Sequence, residues 1–168
     1  RVEAGLPVVK ISVNQSRYLL RDPYYVEKVK RVLDIHQIPL EYLELELTES
    51  LFFEDSRTMI DTMRKLKKLG ITLSIDDFGA GYSSLNVLKD LPADIIKMDK
   101  EFLSNSEDKK TEIIITKTVE MAKELEKVIV CEGVETRAQA DFLARIDCDI
   151  AQGYLFSKAV PMEEFFTT

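Results

Sequence analysis

Short apolar runs alternate along this chain with longer stretches in which apolar side chains recur every three or four positions, the signature of strands alternating with amphipathic helices. The first run, Val8 to Val13, is β-branched and nearly continuous, as expected of a strand buried on both faces, and it ends at Asn14. Asp22 followed by Pro23 reads as an N-cap with proline at the first helical position. Val26, Val29 and Leu33 then mark one face of a helix that stops before Pro39. The unit recurs. Leu43 to Thr48 predicts a strand with inserted acids, and a helix from about Ser56 to Leu69 carries Met59, Ile60, Met63 and Leu66 on one stripe before Gly70 closes it. A third strand, Ile71 to Ile75, ends at Asp76-Asp77 and a loop with two glycines, Phe78 to Ser84; a short helix from about Ser84 to Leu91 leads to a fourth strand, Ile95 to Met98. Beyond it the pattern predicts a helix from about Lys109 to Glu126, with Ile114, Thr118, Met121, Ala122 and Leu125 facing inward, and a strand from Val128 to Cys131. Thr136 and Gln139 then form a capping box for a helix packing Phe142, Leu143 and Ile146; a last strand lies near Ile150 to Ala151, and a terminal helix begins after Pro161.

Strands that alternate with helices imply a parallel sheet, in which ligands bind beyond the carboxyl ends of the strands. The residues at those ends are Asn14, Glu46, Asp76-Asp77, Lys97, Glu132 and Gln152. Taken singly, each reads as a turn former, a cap or a surface charge, and Gln152-Gly153-Tyr154 as a turn. Together they supply the carboxylate and amide oxygens that Mg²⁺ or Mn²⁺ prefers. Side chains on a regular strand alternate in direction, so Asp76 and Asp77 are expected to converge only if the strand ends between them, letting one bridge two metals. Lys97 reads either as a lysine on an exposed edge or as a buried ammonium that holds a water nucleophile or a phosphoryl oxygen. His36, the only histidine, falls near a helix C-terminus, which points away from histidine base chemistry.

Six strand-helix units are two short of a closed eight-fold barrel of roughly 250 residues. The expected fold is therefore a TIM-like α/β barrel with about six of its eight units present, the first two strands lying in a preceding segment.

With 168 residues, 45% of them apolar, the chain suffices for a single domain with one core. A formal net charge of -7 repels nucleic-acid backbone and anionic membrane, so a phosphate substrate would need metal ions. No polymer of DNA or RNA and no membrane contact is expected of this segment, since it has neither an apolar run of spanning length nor a signal-like start. Cys131 and Cys148 are too far apart in sequence for a CxxC pair and sit among apolar residues, which supports neither a zinc site nor a disulfide framework and fits a reducing, cytoplasmic setting.

Six ordered segments also resemble one family. They are Ser12-Val13-Asn14-Gln15-Ser16, Glu46-Leu47-Thr48-Glu49-Ser50, Asp76-Asp77-Phe78-Gly79-Ala80-Gly81-Tyr82-Ser83-Ser84, Ile96-Lys97-Met98-Asp99, Glu132-Gly133-Val134-Glu135-Thr136 and Gln152-Gly153-Tyr154-Leu155-Phe156. On these the chain resembles the EAL-domain cyclic di-GMP phosphodiesterases, (β/α)8 barrels with one antiparallel strand, over nearly its whole length. The resemblance implies a two-metal Mg²⁺ or Mn²⁺ site in which Asn14, Glu46 and Asp76 hold one ion, and Asp76, Asp77 and Glu132 the other. By the same resemblance Lys97 and Glu132 orient or deprotonate the attacking water, Glu49 braces the loop from Phe78 to Ser84, and Gln152 contacts the substrate. The implied reaction opens one phosphodiester bond of cyclic di-GMP to give linear pGpG. The implied partners are a second copy, docked through that loop, and an upstream sensory or diguanylate cyclase-like (GGDEF-type) domain; a cytoplasmic part of a larger, membrane-anchored protein is one setting that fits. One departure stands out. The Glu-Ala-Leu signature, which lies on the family's second strand, is absent from this sequence, and Glu3-Ala4-Gly5 is too close to Asn14 to replace it. Losing that metal-binding glutamate predicts weak or no activity for this segment alone. The competing readings are a non-catalytic module that senses cyclic di-GMP or docks a partner, and an unrelated Mg²⁺ barrel enzyme acting on enolates, which would not explain the Asp-Asp-Phe-Gly loop.

Overall fold

All six expected strands form, each in a parallel ladder with its sequence neighbour. The computed structural model describes residues 3–49, 56–79, 85–104 and 108–166. The elements run β1 (Ile11–Asn14), α1 (Arg17–Leu20), α2 (Tyr25–His36), β2 (Leu43–Thr48), α3 (Ser56–Lys68), β3 (Thr72–Phe78), α4 (Leu85–Asp90), β4 (Ile95–Met98), α5 (Glu101–Ser104), α6 (Lys109–Glu124), β5 (Val128–Cys131), α7 (Arg137–Arg145), β6 (Ile150–Ala151) and α8 (Met162–Phe165). The strands make one sheet in the order β1 to β6, with every neighbouring pair parallel, curled into a half-barrel.

Strand alternation divides this sheet into two chemically different faces. Leu45, Leu47, Leu73, Ile75, Ile96, Met98, Ile129 and Cys131 share one core cluster with helix residues such as Met59, Met63, Leu66, Ile115, Val119 and Phe142. The positions between them carry Glu44, Glu46, Ser74, Asp76, Lys97 and, just past β5, Glu132. The apolar face thus packs on the helices and the polar face lines the inside of the half-barrel.

Four helices end alike. After α2, α3, α6 and α7 one residue takes the left-handed conformation: Gln37, Gly70, Glu126 and Asp147. The next residue's N–H then reaches back five positions, from Ile38 to Leu33, Ile71 to Leu66, Lys127 to Ala122 and Cys148 to Leu143. This is the Schellman closure, which satisfies carbonyls that would otherwise be orphaned and turns the chain back toward the sheet. At the N-terminal ends of the strands, Asp94 accepts from Leu73 N and pairs with Lys67, while Asp149 accepts from Ile129 N and pairs with Lys123. Lys127, whose pKa burial lowers, donates to the carbonyls of Leu91 and Ala93 at the same end. Polar chemistry at this end ties the barrel together.

Four expectations need correction. The first strand is shorter than Val8 to Val13 and is not buried on both faces: Val9, Ile11 and Val13 are exposed because β1 is an edge of the sheet among the described residues. Asp22 is not the N-cap of α2; its carboxylate accepts from Tyr24 N in a turn, and the helix starts at Tyr25. On α6 the inward stripe is Ile115, Val119 and Ala122, while Ile114 and Leu125 are exposed. The 3.6-residue period allows either neighbouring register, and packing on the sheet selects the one that buries a β-branched pair four apart. Finally, β3 runs on to Phe78 and does not stop between the two aspartates.

Candidate active site

The C-terminal ends of β2 to β5 converge on the ammonium of Lys97. Its Nζ lies 2.7 Å from Glu46 Oε1, 2.7 Å from Glu132 Oε1 and 3.6 Å from Asp76 Oδ1. Lys97 and Glu46 are both buried. Burial by itself pulls this lysine toward its neutral form, but hydrogen bonds to Glu132 and Glu46 and the nearby Asp76 outweigh it, so its pKa lies above the ordinary lysine value. Lys97 is therefore a fixed cation, and the reading of it as a surface lysine is set aside.

Among the described residues, three buried side-chain oxygens at the end of β2 and on β3 have no hydrogen-bond partner. Asp76 Oδ1, Ser74 Oγ and Glu49 Oε1 are buried and make no hydrogen bond. Buried polar atoms left unpaired cost roughly 1–3 kcal/mol each. Ser74 and Asp76 are two apart on β3 and so face the same side.

Asp77 reaches the site by a different route from the one expected. Its backbone is left-handed, with φ 54°, and the β3–β4 register shifts between Ile75 and Phe78. A bulge, rather than a strand end, reorients the aspartate pair, and bulges of this kind are common beside active sites. Asp77 is exposed, yet its carboxyl is pushed above the ordinary range, first by burial of its surroundings and then by Asp76 and Asp99, against the opposing pull of Lys97. Asp99 is the residue that sequence reasoning passed over. It follows β4 two positions after Lys97, on the same alternation, and its Oδ1 accepts from Glu101 N at 2.7 Å at the start of α5. That spacing was visible, but a residue between a strand and a helix reads first as a cap.

The remaining candidates frame the cluster. Glu49, buried just past β2, accepts from Gly79 N at 2.7 Å through Oε2. This pins the start of the glycine loop, where a Cβ on Gly79 would stand 2.1 Å from the Phe102 ring and φ is +90°. Asn14 ends β1 opposite Glu46 and is exposed. Gln152 follows β6, is exposed, and its backbone N–H is bound by Cys131 O. Ser50 of the Glu46–Ser50 segment and residues 80–84 of the loop lie outside the described residues.

The donor set suits a hard divalent cation: oxygen donors predominate, one buried Asp76 oxygen makes no hydrogen bond, and the charges of Asp76 and Asp99 both bear on Asp77. Among the described residues no three Asp, Glu, His or Cys side chains close on one point as ion ligands. Lys97 explains this, since it takes up oxygens of both Glu46 and Glu132.

The half-barrel of parallel strands with acids and one buried lysine at their carboxyl ends defines a class of barrel proteins whose site lies at that rim. The chain belongs to the EAL domain family: that family's model matches residues 1–159. The protein named cyclic di-GMP phosphodiesterase NbdA of Pseudomonas aeruginosa is 37% identical over 166 residues, covering 96% of this chain and 21% of its own length. A solved structure described as the PaMucR phosphodiesterase in complex with c-di-GMP is 37% identical, with a TM-score of 0.86 over 93% of this chain and 64% of that one. The EAL domain of Mycobacterium smegmatis DcpA is 34% identical, with a TM-score of 0.87 over 94% of this chain and 71% of that one. The chain spans about a fifth of the length of the curated relatives it matches, 22%, 19% and 23% for three of them. Among the described residues no helix is long and apolar enough to cross a membrane.

Proposed function

We propose that this chain is most of the catalytic barrel of a metal-dependent cyclic di-GMP phosphodiesterase that yields linear pGpG. The observation that carries this reading is Lys97, held as an ammonium between Glu46 and Glu132 and 3.6 Å from an Asp76 oxygen that makes no hydrogen bond. Carboxylates outnumber this one cation at the rim, so an anionic phosphodiester would be held there through divalent metal ions bridging it to the acids.

Asn14, Glu46 and Asp76 would hold one Mg²⁺ or Mn²⁺, and Asp76, Asp77 and Glu132 a second. When bound, such ions supply Lewis acidity toward a phosphoryl oxygen and make water a better nucleophile. Lys97 fixes the orientation of Glu132, and the pair positions the attacking water on the side of phosphorus opposite the leaving oxygen. Water oxygen would bond to phosphorus as the bridging P–O bond breaks, Glu132 taking a proton from the water and the departing ester oxygen taking one from solvent to become the hydroxyl of the linear product. Gln152 contacts the nucleotide from the end of β6, and Glu49 holds Gly79 so that the loop after β3 keeps one shape.

The rest of the barrel belongs to this proposal. Two further strands would pair with the exposed β1 edge and close the sheet, bringing the Glu-Ala-Leu glutamate that this sequence does not contain. For that reason the segment alone is assigned weak activity or none. A homodimer through the loop that follows Phe78, a cytoplasmic location and an upstream sensory or GGDEF-type domain complete the reading.

The absent glutamate favours a second reading, a module that binds cyclic di-GMP without cleaving it. Asp76→Ala in the full-length protein separates the two. The catalytic reading predicts loss of pGpG formation by at least about a hundredfold. Unchanged turnover in the variant would contradict the metal assignment, and nucleotide binding without product in the unaltered protein would favour the module.

A further inference from the structure

Two cysteines that are far apart in sequence meet on the helix side of the sheet. Cys131 ends β5, and Cys148 is the residue that closes the Schellman turn after α7, just before β6. Their Sγ atoms are 3.5 Å apart, both are free thiols, and Met98 Sδ lies 3.8 Å from Cys131 Sγ. Cys131 is fully buried, whereas Cys148 is partly exposed. A disulfide needs its sulfurs at about 2.0 Å, so closing the pair asks for a shortening that side-chain rotation and a small shift of the turn can provide.

We infer that Cys131 and Cys148 form a redox-responsive thiol pair that a hydroperoxide converts into a disulfide between β5 and the turn before β6. The exposed member reacts first. The Cys148 thiolate attacks one peroxide oxygen, the O–O bond breaks, the departing alkoxide or hydroxide is protonated, and a sulfenic acid forms. Cys131 then attacks that sulfur, the S–S bond forms, the S–O bond breaks, and the hydroxyl leaves as water with the Cys131 proton. Each sulfur gives up one electron in the net change, and the peroxide takes both. A thiol reductant reverses it.

The position gives the pair a consequence. Glu132 follows Cys131 directly, and Gln152 N–H is bonded to the Cys131 carbonyl. A disulfide here fastens the two strand ends that carry these residues. The inference stands on the sulfur geometry and is independent of the phosphodiesterase reading.

Trypsin cuts after Lys127, Arg137 and Arg145, so the two cysteines fall on separate peptides. Full-length protein is reduced, desalted, treated with hydrogen peroxide, blocked with iodoacetamide and digested without reductant. Mass spectrometry should find the two peptides cross-linked and two hydrogens lighter than their sum, with the cross-link removed by dithiothreitol. Cys148→Ser should abolish it. Because the unaltered chain gives the main readout, misfolding of that variant would not blunt the test. Recovery of both peptides alkylated after peroxide, or of Cys148 as sulfinic acid with no cross-link, would overturn the inference.

Discussion

Lys97 is the residue on which the site's electrostatics turn. Its ammonium neutralises buried Glu46 and partly buried Glu132, so Lys97→Met leaves carboxylates unpaired in the barrel wall. Removing one partner of a buried pair costs on the order of 3–5 kcal/mol, and urea denaturation of the variant is expected to show a loss on that scale. The sign of its pH dependence follows from the raised pKa: the contribution is fully present below the ordinary lysine pKa and is lost only as pH rises through the still higher folded value. From neutral pH to about pH 9, on the acid side of the ordinary lysine pKa of about 10.4, melting curves should therefore show no loss traceable to Lys97. Asp77 works in the opposite sense. Its raised pKa marks a carboxylate whose charge the fold resists, so Asp77→Asn is expected to raise Tm in EDTA and to diminish the extra stabilisation given by Mn²⁺. A lower Tm for the variant in EDTA would contradict this account of a carboxylate opposed first by burial and then by its acidic neighbours. At this scale the sequence was informative wherever a charged residue ended a strand. It assigned Asp99 no role beyond its place in a motif, and it was silent on the bulge at Asp77, because a left-handed aspartate leaves no periodic trace.

At the level of elements, the pattern of apolar positions was enough to place the strands and most helix ends, and two devices emerged only in three dimensions. One is the repeated Schellman closure, in which Gly70 after α3 and Glu126 after α6 occupy the same left-handed position. The sequence signals the first through its glycine and hides the second behind a glutamate. A non-glycine residue there costs about 1 kcal/mol, so Glu126→Gly is expected to stabilise the protein by up to that amount in chemical denaturation, even though it removes a side chain. The other device is the repeat of Lys67 with Asp94 and Lys123 with Asp149, each aspartate also holding the N–H of the second residue of the neighbouring strand. Two helix-strand-strand units thus share one set of clamps with little shared sequence. The misplaced inward stripe on α6 has a related cause: Ile113, Ile114 and Ile115 are consecutive, so periodicity cannot decide which of them the sheet will bury.

For the whole molecule, the parallel order β1 to β6 followed directly from strands alternating with helices, and the rim site followed from that order. What the chain's own pattern misjudged was the edge. Ile11 and Val13 look like interior strand residues, yet they are exposed on β1, and Ile150 is exposed on β6. Unpaired apolar edges recruit other strands, so the 168-residue segment made by itself is expected to self-associate in sedimentation analysis, while a chain carrying two preceding strands should not do so through this edge. Closing the barrel would also complete the ligand set that the proposed chemistry requires. The most direct measurement is therefore incubation of the full-length protein with cyclic di-GMP and Mn²⁺, with product followed by chromatography against an EDTA-treated sample. Linear pGpG that appears with Mn²⁺ and vanishes with EDTA is the predicted result; product formed equally well in EDTA, or none in either sample, would contradict a metal-dependent phosphodiesterase.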